Sequence, residues 1–483
     1  MTLDKPKKDF MIIFIGKIFQ VIIMILSLKI MTALLSAKEI GSIYLFMTIS
    51  TFFVLSLISP FGQYINRHTY VWTKNKNLLD NLFLYVMYLF SVSTFSVLIG
   101  LFIYSYGISD HIPRCLFLLL LFFATLFLTL NQTIIPLLNM LHYRLDFTML
   151  TLLTSAGVVL FGYILLTLFS YTAGYWLLGI VVSNALFTMI GFIILKEHLN
   201  ETFHGILVNT KKINILNMKS ILKFVIPLSV ATLFMWLQNS GYRIVIEQKI
   251  GLEFLGFLGI GLAVSAQISG VFESIVMQYF HPIYYEKISH TDLDGRTLAI
   301  NELINKVLPI YFMLALFLTF LAKYIVEILV DEKYYGVYIF TMFGVWIEFF
   351  RMVTNLLGNI SQSEMNTQKF MIPYVLGSIV TISLVYFSSM ISAYTLYLPI
   401  ALILGSLVTL ILMYISMKKL INFKINYKVL LIAFMLSTPY ALVVIFNIDT
   451  SIYLSLMIVS LFGLYFLYTI SFIYKRGLAY DYH

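Results

Sequence analysis

Long apolar runs, separated by short charged or turn-rich breaks, follow one another along almost the whole chain. Most runs contain about 20 residues or more, which is enough for a helix to cross a hydrocarbon core of about 30 Å. The pattern predicts fourteen membrane spans, so that both ends of the chain lie on the same side of the membrane. The predicted spans are 10–36, 40–64, 79–106, 115–141, 147–170, 174–195, 221–248, 252–280, 303–330, 336–361, 371–391, 394–416, 429–447 and 451–473.

Composition supports the same class of protein. The chain is 60% hydrophobic and 11% charged, with a mean hydropathy of +0.94, whereas soluble domains are about 45–50% apolar and about 25% charged. The first apolar run extends to about Ser36, beyond the ~7–15 residues of a signal-peptide core, so we interpret it as the first span. We therefore predict an all-α polytopic membrane protein.

Basic residues indicate the orientation of these spans. Of the 31 lysines and arginines, 22 fall in the terminal tails and alternate loops that share one side, and four fall in the opposite loops. Because cytoplasmic loops carry an excess of Lys and Arg, both termini are predicted to be cytoplasmic. The net charge of +9 then faces anionic lipid headgroups rather than nucleic acid.

The longest polar stretch and a weak internal repeat predict the domain organisation. Sliding the first half of the chain by 214 positions aligns Lys29 with Arg243 and Glu39 with Glu253. We predict two six-helix lobes related by a pseudo-two-fold axis around a central cavity, an architecture that transporters use. The predicted limits are 1–200 for the first lobe, 201–220 for a cytoplasmic linker, 221–420 for the second lobe, and 421–483 for spans 13 and 14 with a cytoplasmic tail.

Several predicted spans carry polar residues at helical spacing. A charged side chain at the middle of a bilayer costs about 2.5–3.5 kcal/mol by insertion scales, so it normally faces protein or water. Steps of three and four place residues on one helix face, and such stripes indicate a hydrated interior. The stripes are Asn239, Arg243 and Glu247 in span 7, Glu348, Arg351 and Asn355 in span 10, and a set in span 4 that includes Gln132.

The same charges also have structural interpretations, which the sequence leaves open. Arg243 with Glu247, and Arg351 with Glu348, could be self-neutralising pairs that hold helices in register. Lys17 and Lys29 could extend their ammonium groups to the headgroup layers. The single cysteine, Cys115, excludes an internal disulfide, and the chain has no P-loop. We therefore expect no metal, no cofactor and no ATP hydrolysis.

Three segments resemble bacterial polysaccharide-unit flippases of the O-antigen (Wzx) type, which belong to the multidrug/oligosaccharidyl-lipid/polysaccharide exporter superfamily. The resemblance extends over essentially the whole chain in length, span count and orientation, although its motifs are diffuse. It implies two six-helix bundles around a V-shaped cavity, in the bacterial inner membrane. The segments are ILKFVIPLSVATLFMWLQNSGYRIVIEQKIGLEFLGFLGIGLAVS, QYFHPIYYEK and LLSAKEIGSIYLFMTIS.

This resemblance implies that an undecaprenyl-pyrophosphate-linked oligosaccharide moves from the cytoplasmic to the periplasmic leaflet by alternating access. Membrane lipids, a proton or sodium counter-ion, a polysaccharide polymerase and a chain-length regulator are the other implied partners. The candidate residues for the pyrophosphate and glycan cavity are Lys17, Lys29, Arg243, Arg351, Asn239, Asn355 and Gln132. The candidates for ion coupling are Glu247, Glu273 and Glu348.

Two other functions remain open at this point. A small-molecule exporter of the multidrug branch would share the architecture, but that branch usually has twelve spans and acidic sites for cationic drugs. A membrane polymerase or glycosyltransferase would typically present a large outside loop with catalytic groups, and the outside loops predicted here are short. We therefore favour a flippase over both alternatives and do not expect an enzyme.

Overall fold

The computed structural model describes residues 5–199, 215–288, 291–364, 366–446 and 451–475. The side chains of residues 5–10 and 215–224 lie outside this description, as does most of the predicted linker 201–220. Helices form nearly all of the described chain, as predicted. In the first half they are α1 (Lys5–Leu34), α2 (Ala37–Phe53), α3 (Ser59–Lys74), α4 (Leu78–Ser105), α5 (Arg114–Met140), α6 (Arg144–Leu168) and α7 (Ala173–Leu199).

The helical series continues through the second half, and π-helical or 3₁₀ turns join some of the helices in both halves. A first π-helical turn (Val54–Ile58) joins α2 to α3, and a second (Leu237–Gly241) joins α8 (Ile215–Trp236) to α9 (Tyr242–Lys249). The remaining helices are α10 (Leu252–Ile288), α11 (Leu293–Leu329), α12 (Tyr338–Ser363), α13 (Thr367–Ser388), α14 (Tyr394–Lys418), α15 (Tyr427–Ser437), α16 (Leu442–Phe446) and α17 (Ile452–Lys475).

Thirteen helical segments in the described part of the chain are long and apolar enough to cross a membrane. They correspond in order to predicted spans 1–6 and 8–14, and they confirm a polytopic all-α membrane protein. The predicted seventh span, 221–248, is formed by the end of α8, the second π-helical turn and α9. The π-helical turn interrupts the helix that the apolar run predicted as continuous.

The chain divides into two compact units. The first contains Met1–Trp236 and Gly251–Glu253, and the second contains Leu237–Ile250 and Phe254–His483. The division along the chain therefore comes at the second π-helical turn. The pseudo-two-fold relation and the domain limits expected from the sequence remain predictions.

In the first unit, small residues let α6 and α7 approach closely. A Cβ added at Gly179 would lie 2.5 Å from the backbone nitrogen and 2.6 Å from the Cα of Gly162. Close backbone approach at glycine is a common way of packing membrane helices, because lipid provides no hydrophobic drive for association. Glu39 connects α7 to the start of α2, where its Oε2 accepts a hydrogen bond from the Ala173 backbone N–H at 2.5 Å.

In the second unit, α13 and α14 pack through a reciprocal pair of glycines and threonines. A Cβ at Gly377 would lie 1.9 Å from Thr409 Oγ1, and a Cβ at Gly405 would lie 2.1 Å from Thr381 Oγ1. Each threonine hydroxyl donates to a carbonyl of its own helix, Thr381 to Gly377 and Thr409 to Gly405. The polar atoms of this interface are thereby satisfied inside the apolar unit.

The last two predicted spans are held against α11 within the second unit. The hydroxyl of Ser455 on α17 donates to the buried carboxylate Oε2 of Glu327 at 2.5 Å. At the other end of α11, Asn301 and Asn305 accept hydrogen bonds from the backbone N–H groups of Lys424 and Asn426, each at 2.7 Å. These contacts fix the segment that enters α15.

The close approach at Gly179 leads to a stability prediction. We expect Gly179→Ala to force α6 and α7 apart and to destabilise the protein by about 1–3 kcal/mol, as overpacking does. Thermal unfolding of the purified protein in detergent measures this change. The matched control is Gly463→Ala on α17, where no atom of the described residues would lie within 4 Å of the added Cβ. Equal midpoints for the two variants would show that the α6–α7 contact is not tight.

Candidate functional site

A polar cavity of about 160 Å³ lies inside the second unit, among predicted spans 7, 8, 10, 11 and 12. It contains two arginines, one carboxylate and several hydroxyl and amide groups on helices that are otherwise apolar. A volume of this size holds a few water molecules or one phosphate group, but not a sugar chain. The lining residues are Gln238, Asn239, Tyr242, Arg243, Leu262, Ala263, Ser265, Ala266, Gly344, Ile347, Glu348, Arg351, Thr381, Leu402 and Ser406.

The second π-helical turn brings part of span 7 to this cavity. The Gln238 side chain is buried, and its Nε2 donates to Thr409 Oγ1 on α14 at 2.6 Å. Asn239 and Arg243 both line the cavity, whereas Glu247, which was predicted on the same face, is not among the lining residues. Single π-helical turns often occur at functional sites, and this turn carries two of the lining residues, Gln238 and Asn239.

Arg351 is held by two carboxylates from two helices. Its Nε donates to Glu348 Oε2 at 2.6 Å along α12, and its Nη2 donates to Glu273 Oε2 on α10 at 2.9 Å. The side chains of Arg351, Glu273 and Glu348 are 27%, 17% and 14% exposed. In the ionised state the triad carries one positive and two negative charges. We name these three residues the arginine triad.

Two further side chains fix Glu273. Asn355 Nδ2 donates to Glu273 Oε1 at 3.1 Å, and the buried Tyr374 hydroxyl donates to Asn355 Oδ1 at 3.3 Å. Glu273 therefore has both Arg351 and Asn355 as donors, which hold its carboxylate between α10 and α12. Breaking a buried ion pair from one side is costly, because the remaining charge has been removed from water. Arg351, Glu273 and Asn355 consequently connect α10 to α12.

Arg243 provides the second guanidinium of the cavity. Its Cζ lies 5.7 Å from the ring centroid of Tyr242, which also lines the cavity. A guanidinium at this distance is attracted by the aromatic quadrupole, so the ring contributes to holding Arg243 in place. Arg243 and Arg351 thus line the same cavity, with Glu348 as the carboxylate among the lining residues.

The other predicted site residues lie in the first unit. Lys17 is half-buried on α1 and its Nζ donates to Gln20 Oε1 at 3.1 Å. Lys29 is half-buried on the same helix, and Gln132 is exposed on α5. The buried hydroxyl of Thr129 donates to the carbonyl of Thr125 on its own helix at 2.7 Å. The roles proposed from the sequence for Lys17, Lys29 and Gln132 stay predictions.

Several residues of the site were not predicted from the sequence. Gln238 directly precedes Asn239 in the chain, but it lies outside the stripe of Asn239, Arg243 and Glu247. Tyr374 was missed because it is one of 33 tyrosines in a chain where aromatic residues mostly serve as apolar surface. Glu273 was recognised only as a carboxylate within a span, and its pairing with Arg351 gives no signal at fixed sequence spacing.

A second, apolar groove of about 410 Å³ lies along the opposite face of α12. With about 3.6 residues per helical turn, the α12 positions that line the polar cavity and those that line the groove are centred on opposite sides. Aliphatic and aromatic side chains from α11, α12, α14, α15 and the segment that precedes α15 form the groove. They are Ile304, Leu308, Phe312, Phe349, Val353, Leu356, Leu357, Leu410, Ile411, Tyr414, Ile425 and Leu430.

The contrast between cavity and groove predicts a difference in reactivity. In a Cys115→Ser background, which removes the exposed native cysteine, Asn239→Cys should react readily with a charged thiol reagent. Ile411→Cys is the control, because Ile411 is 48% exposed in the protein alone but lines the apolar groove. We expect it to react at least ~10-fold more slowly, since a thiolate does not form in hydrocarbon. Equal rates in proteoliposomes would contradict a wet cavity.

Comparison with solved structures shows what kind of fold carries this site. The structure is similar to that of "Lipid II flippase MurJ, inward closed conformation", with a TM-score of 0.67, 14% identity, and coverage of 97% of this chain and 99% of that one. It is also similar to an inward-facing multidrug resistance MATE family transporter of the MOP superfamily, with a TM-score of 0.58, 13% identity, and coverage of 83% and 95%. No protein-family model and no curated protein matches the sequence. At these identities the likeness shows the fold alone, which this chain shares with those two proteins.

Proposed function

We propose that this protein is a flippase that moves a polyprenyl-pyrophosphate-linked oligosaccharide from the cytoplasmic to the periplasmic leaflet of a bacterial inner membrane by alternating access. The observation that carries the proposal is that Arg243 and Arg351 line one cavity inside an apolar unit. Guanidinium groups that line a cavity support an anionic ligand, because their N–H donors match phosphate oxygens. The fold is the second support, since one similar structure is a lipid flippase.

The chemistry of a pyrophosphate explains why such a cavity is needed. A pyrophosphate diester carries about two negative charges, and burying charge without partners costs many kcal/mol. Guanidinium groups can replace water because they bind phosphate oxygens in a bidentate manner and stay charged. Coulomb attraction is also stronger at the low effective dielectric constant of a protein interior than in water. Gln238, Asn239 and Ser406 supply additional polar partners around the two arginines.

The two faces of α12 match a ligand with two kinds of chemistry. The polar cavity fits a phosphate group, whereas the glycan must extend beyond it, because about 160 Å³ does not hold an oligosaccharide. The apolar groove offers a surface for a hydrocarbon chain. A polyprenyl chain is long and flexible enough to pass around a helix of about 10–12 Å in diameter, or to remain in the lipid.

The remaining predicted residues belong to this proposal as well. Lys17, Lys29 and Gln132 would present polar groups from the first unit, and Asn355 would support Glu273. Glu247, Glu273 and Glu348 are the proposed residues for coupling to a proton or sodium gradient. A polysaccharide polymerase and a chain-length regulator are the proposed partners on the receiving side, with both termini of the flippase in the cytoplasm.

A multidrug-type exporter is the second candidate, and its support is the structural similarity to a transporter of that class. Sites for cationic drugs are built from acidic groups, whereas the polar cavity also presents two guanidiniums, which match an anion. An exporter of anionic small molecules would share the arginines but would not need an apolar groove beside them. Transport of a lipid-linked glycan tests the difference directly.

The proposed role of Arg243 predicts the outcome of four variants. Arg243→Ala should lower surface polysaccharide at least ~10-fold while the protein is still made and inserted, since truncating one partner of a buried charged contact costs about 2–5 kcal/mol. Arg243→Lys should keep part of the activity, and Glu247→Ala should have a milder effect. Surface polysaccharide and membrane protein level are measured in a strain that lacks its own flippase but makes the lipid-linked glycan.

A structural role for the same arginine predicts a different pattern. If Arg243 only neutralises Glu247, both alanine variants should lower protein abundance alike, and the Arg243→Ala, Glu247→Ala double variant should restore it. Recovery of both abundance and polysaccharide in the double variant would contradict the proposed binding role.

A further inference from the structure

Arg351, one of the two arginines of the polar cavity, is already bonded to two carboxylates of the protein. In the arginine triad, Nε and Nη2 of Arg351 both donate to carboxylate oxygens, at 2.6 and 2.9 Å. A guanidinium has five N–H donors in a fixed fork, and these two nitrogens form one of its bidentate edges. An incoming phosphate that uses this edge must therefore replace at least one carboxylate.

The two carboxylates are held differently. Glu273 lies on α10 and is also bonded by Asn355, which is in turn bonded by Tyr374. Glu348 lies on α12, three residues before Arg351, and lines the polar cavity itself. Glu348 is therefore the carboxylate that lies where a ligand enters, whereas Glu273 is fixed behind the guanidinium by a second donor.

The charges of the triad permit this exchange. With both glutamates ionised, the triad carries one more negative charge than Arg351 neutralises. When Glu348 turns away, Arg351 keeps Glu273 as its partner, so the guanidinium is not left unpaired in the protein. A phosphate oxygen can then take the place of the Glu348 oxygen with the same hydrogen-bond geometry, because carboxylate and phosphate match the guanidinium fork alike.

From this arrangement we propose that Glu348 is an internal competitor for the anionic headgroup at Arg351. Its carboxylate occupies the guanidinium in the empty protein, leaves when the headgroup binds, and returns to displace the headgroup on release. The inference rests on the proposed function and adds a way for Arg243 and Arg351 to release a tightly bound ligand. Glu273 acts as the fixed partner that keeps Arg351 in place through both states.

Competition of this kind lowers apparent affinity in a calculable way. A site that is available in only a fraction of molecules binds with its intrinsic affinity reduced by that fraction. Removing the competitor should therefore tighten binding, which is the opposite of what deleting a ligand-binding residue does. Tighter binding should slow release, so that transport shows a lower KM together with a lower kcat.

The test uses the purified full-length protein in nanodiscs and geranylgeranyl pyrophosphate as the probe, with binding followed by calorimetry. We expect Glu348→Gln to lower Kd about tenfold, corresponding to ~1.4 kcal/mol, because glutamine keeps the shape but loses the charge. Glu348→Asp keeps the charge with a shorter reach and should give a smaller gain. Glu253→Gln is the matched control, since Glu253 is exposed on α10, the helix that also carries Glu273.

The outcomes distinguish this inference from the proposed function. Binding of geranylgeranyl pyrophosphate by the wild type, with no gain in either Glu348 variant at unchanged thermal stability, would overturn the competitor role alone. If neither the wild type nor the variants bind the pyrophosphate more tightly than geranylgeraniol, the proposed function fails and the inference fails with it. A gain that persists when Arg351→Gln is added to Glu348→Gln would show that Arg351 is not the contested group.

Discussion

The structure of the second unit depends on how a permanent positive charge is accommodated inside a membrane protein. Arg351 cannot lose its charge and cannot face hydrocarbon without a large free-energy cost. Glu348, on the same helix as Arg351, and Glu273, on α10, both accept hydrogen bonds from its guanidinium. Asn355 and Tyr374 extend the network to α13. The positions of α10, α12 and α13 around the cavity are therefore coupled to one guanidinium.

This constraint also explains why the polar and apolar surfaces are separated so sharply. The polar residues of α12 are gathered on the face that carries Arg351, which leaves the opposite face to Phe349, Val353 and the other apolar residues of the groove. The reciprocal packing of Gly377 and Thr409, and of Gly405 and Thr381, brings α13 and α14 close together beside the cavity. Gln238 then attaches the second π-helical turn to Thr409. A small polar site with two guanidiniums can exist in this unit because the polar groups that support it bond to their neighbours.

Much of this organisation is visible in the sequence, but the site is visible only in part. Apolar runs predicted the spans because the thickness of a bilayer sets a minimum helix length, and thirteen of them are confirmed. The pair formed by Glu348 and Arg351 follows from a spacing of three residues on one helix. The bond from Arg351 to Glu273 depends on the rotation of α10 against α12, which a repeat of 3.6 residues does not determine. The turn at Leu237–Gly241 was unexpected because its residues have no spacing that marks π-helical geometry.

Arg243 and Arg351 are proposed to bind a lipid-linked phosphate together, and electron cryomicroscopy of the protein in nanodiscs with geranylgeranyl pyrophosphate can show whether they do. We expect phosphate density in the polar cavity at hydrogen-bond distance, about 2.7–3.2 Å, from both guanidinium groups, with Glu348 turned away from Arg351. Phosphate density elsewhere in the protein, with Arg351 still bonded to both Glu273 and Glu348, would contradict it.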